Sequence, residues 1–268
     1  MACAKPAIQR VLRWPIGFHP RTASLSGIIV FMPNGAIVGG SAGLLAAGGL
    51  LAYAVRGRSS SVFGPSVYRG DSNRPAIALT FDDGPSESTP ALLKILARHD
   101  VPATFFMCGK NVERLPKVAQ CVAAAGHEIG NHTDSHPRFD FCSGDFMYRE
   151  MAAAQEKIRH YTGVTPRLFR APYGVRWFGL KSAQQRLELL GVMWGTIGHD
   201  WKWPAPRITK LFLSRACPGH IFCLHDGRVT EPAPNIGATL AAVEAIIPAL
   251  KERGLRFETV SQILCPTS

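Results

Sequence analysis

Residues 76–85 read Ala-Ile-Ala-Leu-Thr-Phe-Asp-Asp-Gly-Pro, a short apolar run that ends in two carboxylates and a Gly-Pro turn. The run predicts a strand of a sheet, and the turn ends it. Adjacent side chains of a strand point to opposite faces, so Asp82 and Asp83 can do different work. One can bind a metal ion while the other stays free as a base, although an acidic pair in such a turn is often purely structural.

Further apolar runs alternate with helical patterns along the rest of the chain. The runs cover residues 103–107, 128–131, 168–170, 192–196, 221–224 and 256–260. The helical patterns cover residues 90–99, 112–125, 146–161, 180–190, 207–215 and 238–253, and each of the glycines 126, 163, 191, 219 and 254 is predicted to cap a helix. This alternation predicts parallel βαβ units in an α/β barrel or open sheet, with chemistry at the carboxyl ends of the strands.

Two histidines follow the third run in Gly-Asn-His-Thr-Asp-Ser-His-Pro, residues 130–137. His132 and His136 are four residues apart, which places two imidazoles on one face of a helical turn, where both can bind one zinc ion. Exposed pairs with this spacing are common, so the pair alone is a weak signal. Together with Asp83 it offers two nitrogens and one oxygen and leaves an open coordination position, which is typical of catalytic zinc sites.

Polar residues also end the next three runs. Arg170-Ala-Pro-Tyr-Gly follows the fourth run, His-Asp200-Trp the fifth, and Leu-His225-Asp-Gly ends the sixth. Each of these groups alone is consistent with packing or with a turn. Together they place an arginine, an aspartate, a histidine and aromatic side chains around one predicted mouth of the sheet.

Five motifs in chain order resemble those of the NodB-type polysaccharide deacetylases, carbohydrate esterase family 4: T-F-D-D-G-P, N-H-T-D-S-H-P, R-A-P-Y-G, D-W and L-H-D-G. The resemblance covers roughly residues 75–264. It implies a distorted (β/α) barrel over residues 75–265 and a metal-dependent hydrolase. The expected reaction removes N-acetyl groups from an N-acetylglucosamine-containing glycan such as peptidoglycan, chitin oligomers or an exopolysaccharide. The metal is most often Zn²⁺, with Co²⁺, Ni²⁺ or Mn²⁺ as alternatives.

The resemblance also implies roles for individual residues. Asp82 is expected to be the general base, oriented by Arg170. His225 is expected to protonate the leaving amine, with Asp200 raising its pKa so that it stays charged near neutrality. A backbone N–H at Tyr173 is expected to help hold the oxyanion.

Two residues are predicted to form the wall of the pocket for the acetyl methyl group, namely Trp201 and Leu224. Asp226 is expected to be a turn residue. One position departs from the family: the fourth motif often reads D-x-x-D-W, and here Ile197 lies three residues before Asp200. Because Asp200 is retained we expect activity to survive, with altered substrate contacts or a weaker site as the alternative.

The net charge of +11 is unevenly distributed along the 268 residues. Residues 1–70 hold seven basic side chains and no acidic one, whereas the remaining 198 residues hold 23 basic and 19 acidic side chains, a net of +4. The predicted domain is therefore close to balance, which argues against a nucleic-acid-binding surface. The hydrophobic fraction of 46% excludes a wholly disordered chain.

The N-terminal segment, residues 1–58, is expected to direct export. Residues 35–55 contain no ionisable group except Tyr53, and as a helix they would span about 31 Å, close to a bilayer core. One interpretation is a single-pass membrane anchor with the catalytic domain outside the cytoplasm. The alternatives are a secretory signal cleaved after Ala54, with Met32 as another candidate start, or a glycine-rich soluble segment. Residues 59–74 are rich in Ser, Gly and Arg and predict a linker.

Other functions stay open at this point. An O-acetyl esterase of the xylan type would use nearly the same chemistry, and a glycan-binding module could keep the metal without turnover. The seven cysteines show no metal-site spacing, and we assign them no chemistry. The expected partners are an acetylated glycan and, through the N-terminal segment, a membrane, while the catalytic domain is expected to be monomeric.

Overall fold

The computed structural model describes residues 36–265, and it describes side-chain environments from residue 46 onward. One compact unit begins at Leu44. Its strands are β1 Ser66–Val67, β2 Ala76–Gly84, β3 Thr104–Met107, β4 Glu128–Asn131, β5 Leu168–Phe169, β6 Leu190–Val192, β7 Thr196–Ile197, β8 Ile221–His225 and β9 Arg256–Phe257. The helices are α1 Ala36–Arg56, α2 Thr89–Arg98, α3 Gly109–Arg114, α4 Pro116–Ala124, α5 Gly144–Thr162, α6 Leu180–Leu187, α7 Ala205–Arg215, α8 Gly237–Glu252 and α9 Val260–Leu264.

The strands form one parallel sheet in the order β1-β6-β5-β4-β3-β2-β8-β7, with β9 added beside the start of β2. Although β6 and β7 lie towards opposite ends of this order, only residues 193–195 separate them in the chain. Met193 N–H donates to Val67 of β1, and Gly195 N–H donates to Ile221 of β8. Three residues span little more than 10 Å, so the two ends of the sheet must curve towards each other. The result is a half-barrel of parallel strands with helices, open along the seam between its edge strands β1 and β7.

The sheet is buried on both faces, as expected for parallel strands covered by helices. All nine residues of β2 are buried. In β8 the alternation is clear: Phe222 and Leu224 pack in the cluster that includes residues of α7 and α8, and Cys223 and His225 lie on the opposite face, towards Asp82. Asp82 of β2 and His225 of β8 therefore meet at the carboxyl end of the sheet.

Several local predictions were wrong because tertiary pairing overrides the pattern. The apolar run 192–196 is divided between β6 and β7, since the chain crosses the open seam there. The run 256–260 gives a short β9, after which Thr259 caps α9 through a capping box with Gln262. The helix predicted over 112–125 is broken by Pro116 into α3 and α4. Gly191 lies in β6 and caps no helix; the left-handed residue after α6 is Glu188.

The segment predicted as a linker is an ordered part of the sheet. Ser66 and Val67 form β1 and pair with β6, and Arg69 forms a bridge with His220. The buried guanidinium of Arg176 donates hydrogen bonds to the backbone carbonyls of Gly57 and Ser60. Backbone pairing and one distant arginine hold these residues, and neither is visible in a Ser-, Gly- and Arg-rich composition.

The predicted N-terminal helix corresponds to α1. The basic residues that precede it, namely Lys5, Arg10, Arg13 and Arg21, and the candidate start Met32 lie outside the described residues. Among the residues that are described, no helix combines the length and the apolarity of a membrane span. Anchor and cleaved signal both remain predictions.

Candidate active site

A bulge at the end of β2 separates the two carboxylates. Asp82 is paired with Phe106 of β3, but the next paired residue is Gly84, so Asp83 is the extra residue. Asp83 has a φ of 70°, in the left-handed region that residues other than glycine rarely occupy. A bulge bends the strand and re-aims its side chains, which explains how two adjacent carboxylates reach two different groups of partners.

Asp83 lies with the two histidines of the second motif. Its Oδ1 atom is 3.3 Å from His132 Nε2 and 3.0 Å from His136 Nε2, and all three side chains are buried. The pair is not on a helical turn as predicted: residues 132–136 form an irregular loop in which Thr133 and His136 both have positive φ. The imidazoles meet because the loop folds back, with His136 N–H donating to Thr133 Oγ1.

The donor set fits a divalent metal ion. His132 Nδ1 donates to the carbonyl of Arg170 over 2.7 Å, so Nε2 is the ring nitrogen that faces Asp83. Asp83 Oδ1 is buried without a hydrogen-bond partner. Burial by itself raises the pKa of Asp83, but the adjacent His132 and His136 imidazoles hold it well below its ordinary value, so the carboxylate is ionised. Ligands at about 2.0–2.1 Å in a tetrahedron lie about 3.3 Å apart, close to the separations found here.

Asp82 faces the interior and pairs with a buried arginine. Its Oδ1 accepts from Arg170 Nη1 over 2.6 Å, and the guanidinium also donates to Thr80 Oγ1 and to the carbonyl of Val192. Arg170 is completely buried. The second oxygen, Oδ2, accepts only the weak thiol hydrogen bond of Cys223, at 3.4 Å. Burial and the charge of Asp82 raise the pKa of that thiol well above its usual range, so it remains a donor.

His225 is paired with Asp200. Its Nδ1 lies 2.8 Å from Asp200 Oδ1, and its backbone N–H donates to Oδ2, which also accepts from Thr239. Burial alone lowers the pKa of His225, but the charge and hydrogen bond of Asp200, with smaller contributions from Asp83 and Asp82, raise it to about 9. The imidazole is therefore a cation at neutral pH, with Nδ1 engaged.

Two half-exposed aromatic side chains flank these groups. Tyr173, in a short 3₁₀ turn after β5, has a φ of 58°, and its ring centroid is 4.7 Å from that of His136. Trp201 packs edge to face against His225, with centroids 5.0 Å apart. Tyr173 therefore lies beside the metal-type cluster and Trp201 beside the imidazolium.

Leu224 does not lie at this site. It is fully buried among side chains between the sheet and its helices, so the prediction that it forms the wall of an acetyl pocket is not supported by its placement. The reason is the two-residue period of a strand, which places Cys223 on the face of His225 and Leu224 on the other. Ligand-type atoms of Asp82, Cys223 and His225 lie within 4.8 Å of one another. The alternation of β8 was the signal that sequence reasoning missed.

Asp226 is more than a turn residue. It is fully buried, its Oδ2 accepts from Thr89 Oγ1 over 2.6 Å, and its N–H donates to the carbonyl of Asp82. Burial, followed by the nearby charges of Asp83 and Asp82, raises the pKa of Asp226 to about 7, against the hydrogen bond from Thr89. Gly84 is required here, because a Cβ at that position would clash with the buried Asp226 carboxylate.

Comparison with known proteins places this arrangement in a family. The polysaccharide deacetylase family model matches residues 69–192. A peptidoglycan-N-acetylglucosamine deacetylase of Bacillus cereus is 36% identical over 197 residues, which cover 72% of this chain and 70% of that protein. A chitooligosaccharide deacetylase of Sinorhizobium fredii is 35% identical over 205 residues, 74% of this chain and 95% of that protein.

A solved structure agrees with the sequence comparisons. The crystal structure of the Bc1960 peptidoglycan N-acetylglucosamine deacetylase, in complex with 4-naphthalen-1-yl-N-oxidanyl-benzamide, superposes with a TM-score of 0.69 at 34% identity. The match covers 74% of this chain and 92% of that one. The resemblance stated from the motifs is therefore confirmed, and the chain belongs to the polysaccharide deacetylase family, the family 4 carbohydrate esterases.

Proposed function

We propose that the protein is a metal-dependent hydrolase that removes N-acetyl groups from N-acetylglucosamine units of a glycan. The observation that carries the proposal is the meeting, at one end of the sheet, of the Asp83–His132–His136 cluster with the Asp82–Arg170 pair and a charged His225. Relatives named as peptidoglycan N-acetylglucosamine and chitooligosaccharide deacetylases support the substrate class.

Asp83, His132 and His136 would hold the ion, most often Zn²⁺, with Co²⁺, Ni²⁺ or Mn²⁺ as alternatives. When bound there, a divalent ion supplies Lewis acidity, polarising a carbonyl oxygen and making water a stronger acid. The protein supplies the geometry. His132 is oriented by its Nδ1 hydrogen bond, and Asp83 has one oxygen free towards the imidazoles.

Proton transfer is assigned to the other groups. Asp82 accepts a proton from the attacking water at Oδ2, the oxygen that Arg170 leaves free, while the hydrogen bond from Arg170 to Oδ1 holds the carboxylate in place. His225 donates a proton at Nε2 to the leaving nitrogen, because Asp200 engages Nδ1 and keeps the ring charged. The N–H of Tyr173 is assigned to the carbonyl oxygen as it gains negative charge.

The charged state of His225 favours an amide over an ester substrate. An amine is a poor leaving group until its nitrogen is protonated, whereas an alcohol needs this help less. A pKa of about 9 keeps His225 protonated at neutral pH, which suits the amide reaction. We assign Trp201 and Cys223 to the sides of the acetyl methyl group, in place of Leu224.

An acetate-release assay tests this function. The full chain is stripped with a chelator, reloaded with Zn²⁺ and incubated with chitooligosaccharides, peptidoglycan and acetylated xylan, and free acetate is measured. We expect release from the N-acetylated glycans that is lost on stripping and restored by Zn²⁺. Equal or faster release from xylan would favour the O-acetyl esterase, and glycan binding without any acetate would show a binding module.

We also propose that the protein acts outside the cytoplasm, because its expected substrates are cell-surface or extracellular glycans. Either an anchor that includes α1 or a signal cleaved after Ala54 would deliver it there. Cell fractionation with N-terminal sequencing distinguishes an intact membrane-bound chain from a mature chain that starts near Val55. Full-length chain recovered in the cytosol would refute both.

A further inference from the structure

The hydrogen bond on the second oxygen of Asp83 comes from an unexpected residue. The backbone N–H of Val229 donates to Asp83 Oδ2 over 2.9 Å, whereas Oδ1 faces His132 and His136. One oxygen of the carboxylate is thus engaged by the protein and the other is free. The contact fixes which oxygen is available to an ion.

Val229 makes this contact from a strained backbone. Its φ is 52°, and for a β-branched residue the left-handed region is a genuine outlier. Such outliers persist where surrounding contacts hold them, and they cluster at functional sites. Val229 lies four residues after His225, in the loop that follows β8, so this loop reaches back over the end of β2.

Asn111 of α3 holds the strained residue and the bulge together. Its Nδ2 donates to the carbonyl of Asp83 over 2.7 Å and to the carbonyl of Val229 over 2.8 Å. Both partners are acceptors only, so the amide orientation is fixed by its chemistry. The side chain is 2% exposed, and water does not replace it readily. Asn111 therefore links the backbone of Asp83 to the residue that binds the Asp83 carboxylate.

We propose that Asn111 and the Val229 N–H form an outer hydrogen-bonding shell of the metal site, with Asn111 as a positioning residue that sets Asp83 as a one-oxygen ligand. The inference rests on the proposed function only in taking Asp83 as a ligand. Outer-shell partners of metal ligands typically contribute about 10- to 100-fold in metal affinity. Asn111 touches neither the ion nor the substrate, so it acts through Asp83 and Val229.

The chain offers a matched control in Gln184 of α6. Gln184 is also 2% exposed, and its Nε2 also donates to two backbone carbonyls, those of Pro65 and Leu189. The side-chain oxygens of Asn111 and Gln184 are both buried without a hydrogen-bond partner. It packs beside β1 and β6 and contacts none of the candidate ligands. Loss of this amide removes the same kind of interaction without touching the site.

The test compares Asn111→Leu with Gln184→Leu in the full chain. Zn²⁺ affinity is measured by competition with a chromophoric chelator, below the unfolding temperature of each stripped variant. We expect the affinity of Asn111→Leu to fall about 10- to 100-fold and that of Gln184→Leu to stay within twofold of wild type. Amide exchange at Val229 should become at least about tenfold faster in Asn111→Leu only. Asn111→Ala, which is smaller, should move both readouts in the same direction and serves if the leucine variant does not fold.

Two results would overturn the proposal. One is a Zn²⁺ affinity of the Asn111 variants within twofold of wild type, and the other is an equal loss in Gln184→Leu, which would indicate a general effect of stability. No acetylated glycan enters the measurement. If no substrate released acetate while the affinities changed as expected, the proposed function would fail and the outer shell would stand.

Discussion

Asp82 and Asp83 are neighbours in the chain, yet their surroundings differ in how completely polar atoms are paired. Around Asp82, the guanidinium of Arg170 and the thiol of Cys223 each find a partner, and His225 likewise pairs with Asp200. Around Asp83, its Oδ1 is buried without one, although it lies 3.3 Å from His132 Nε2 and 3.0 Å from His136 Nε2. An unpaired carboxylate oxygen that converges with two imidazole nitrogens is the arrangement that a metal ion would complete. The paired half holds the residues to which we assign proton transfer, Asp82 and His225.

The largest expected effect is the loss of kcat when the proposed base, Asp82, is replaced. Asp82→Asn keeps the shape of the side chain but removes the proposed proton acceptor, so kcat should fall about 10²- to 10⁴-fold. Zn²⁺ affinity should remain near that of wild type, because Asp82 is not one of the three proposed ligands, Asp83, His132 and His136. Steady-state acetate release and chelator competition measure the two quantities. Retention of full turnover would show that Asp82 is not the base.

The second prediction concerns the unpaired half. A ligand that binds only the folded state raises its stability, by about 4 kcal/mol at a thousandfold excess over Kd. Zn²⁺ should therefore raise the unfolding temperature of the stripped protein, and Asp83→Asn should abolish this increase. Differential scanning calorimetry measures it. Asp82→Asn is the matched control and should keep the increase; loss of the increase in both variants would remove the distinction between the halves.

The third prediction uses the pH dependence of the imidazolium. His225 has a pKa of about 9, so kcat should decline above that pH as the acid loses its proton. In Asp200→Asn the pH at which kcat declines should move down towards about 6.5, the ordinary pKa of histidine, because the Asp200 charge that raises the pKa of His225 is gone. The raised pKa also contributes stability that is complete below about pH 6.5 and lost as the pH rises through about 9. Identical pH profiles of kcat for the wild type and Asp200→Asn would contradict the assignment of His225 as the acid.

The smallest expected effects compare neighbours in β8. Leu224→Met keeps the core volume and should cost less than about 1.5 kcal/mol of unfolding free energy, with kcat unchanged. Cys223→Ser places a stronger hydrogen-bond donor on Asp82 Oδ2, so this oxygen should accept a proton less readily and kcat should fall within about tenfold. Chemical denaturation and pH–rate profiles measure these changes. A larger loss of kcat in Leu224→Met than in Cys223→Ser would reverse the assignment of the two faces.

Sequence patterns predicted the alternating elements and named the chemistry-bearing residues at the ends of β2, β4, β5 and β8. They succeeded because apolar runs and strand-end polar residues are local signals. The bulge at Asp83 was not predictable in this way, since it depends on the register with β3. The left-handed backbone of Val229 is likewise held by a distant partner, Asn111. Asn111 was missed because a single asparagine at the start of a helix has no distinguishing pattern.

Arg170 has a consequence for how this protein can change over evolutionary time. Its guanidinium donates to the carbonyls of Val192 and Met193, where the chain leaves β6 and crosses the open seam, and the same group pairs with Asp82. Its own carbonyl accepts from His132. One residue thus contacts the chain at the open edge of the barrel, the proposed proton acceptor Asp82 and the proposed metal ligand His132. Substitutions that adjust activity can therefore be accepted at the half-exposed Trp201 or Tyr173. They cannot be accepted at Arg170, because any change there alters the fold and the site together.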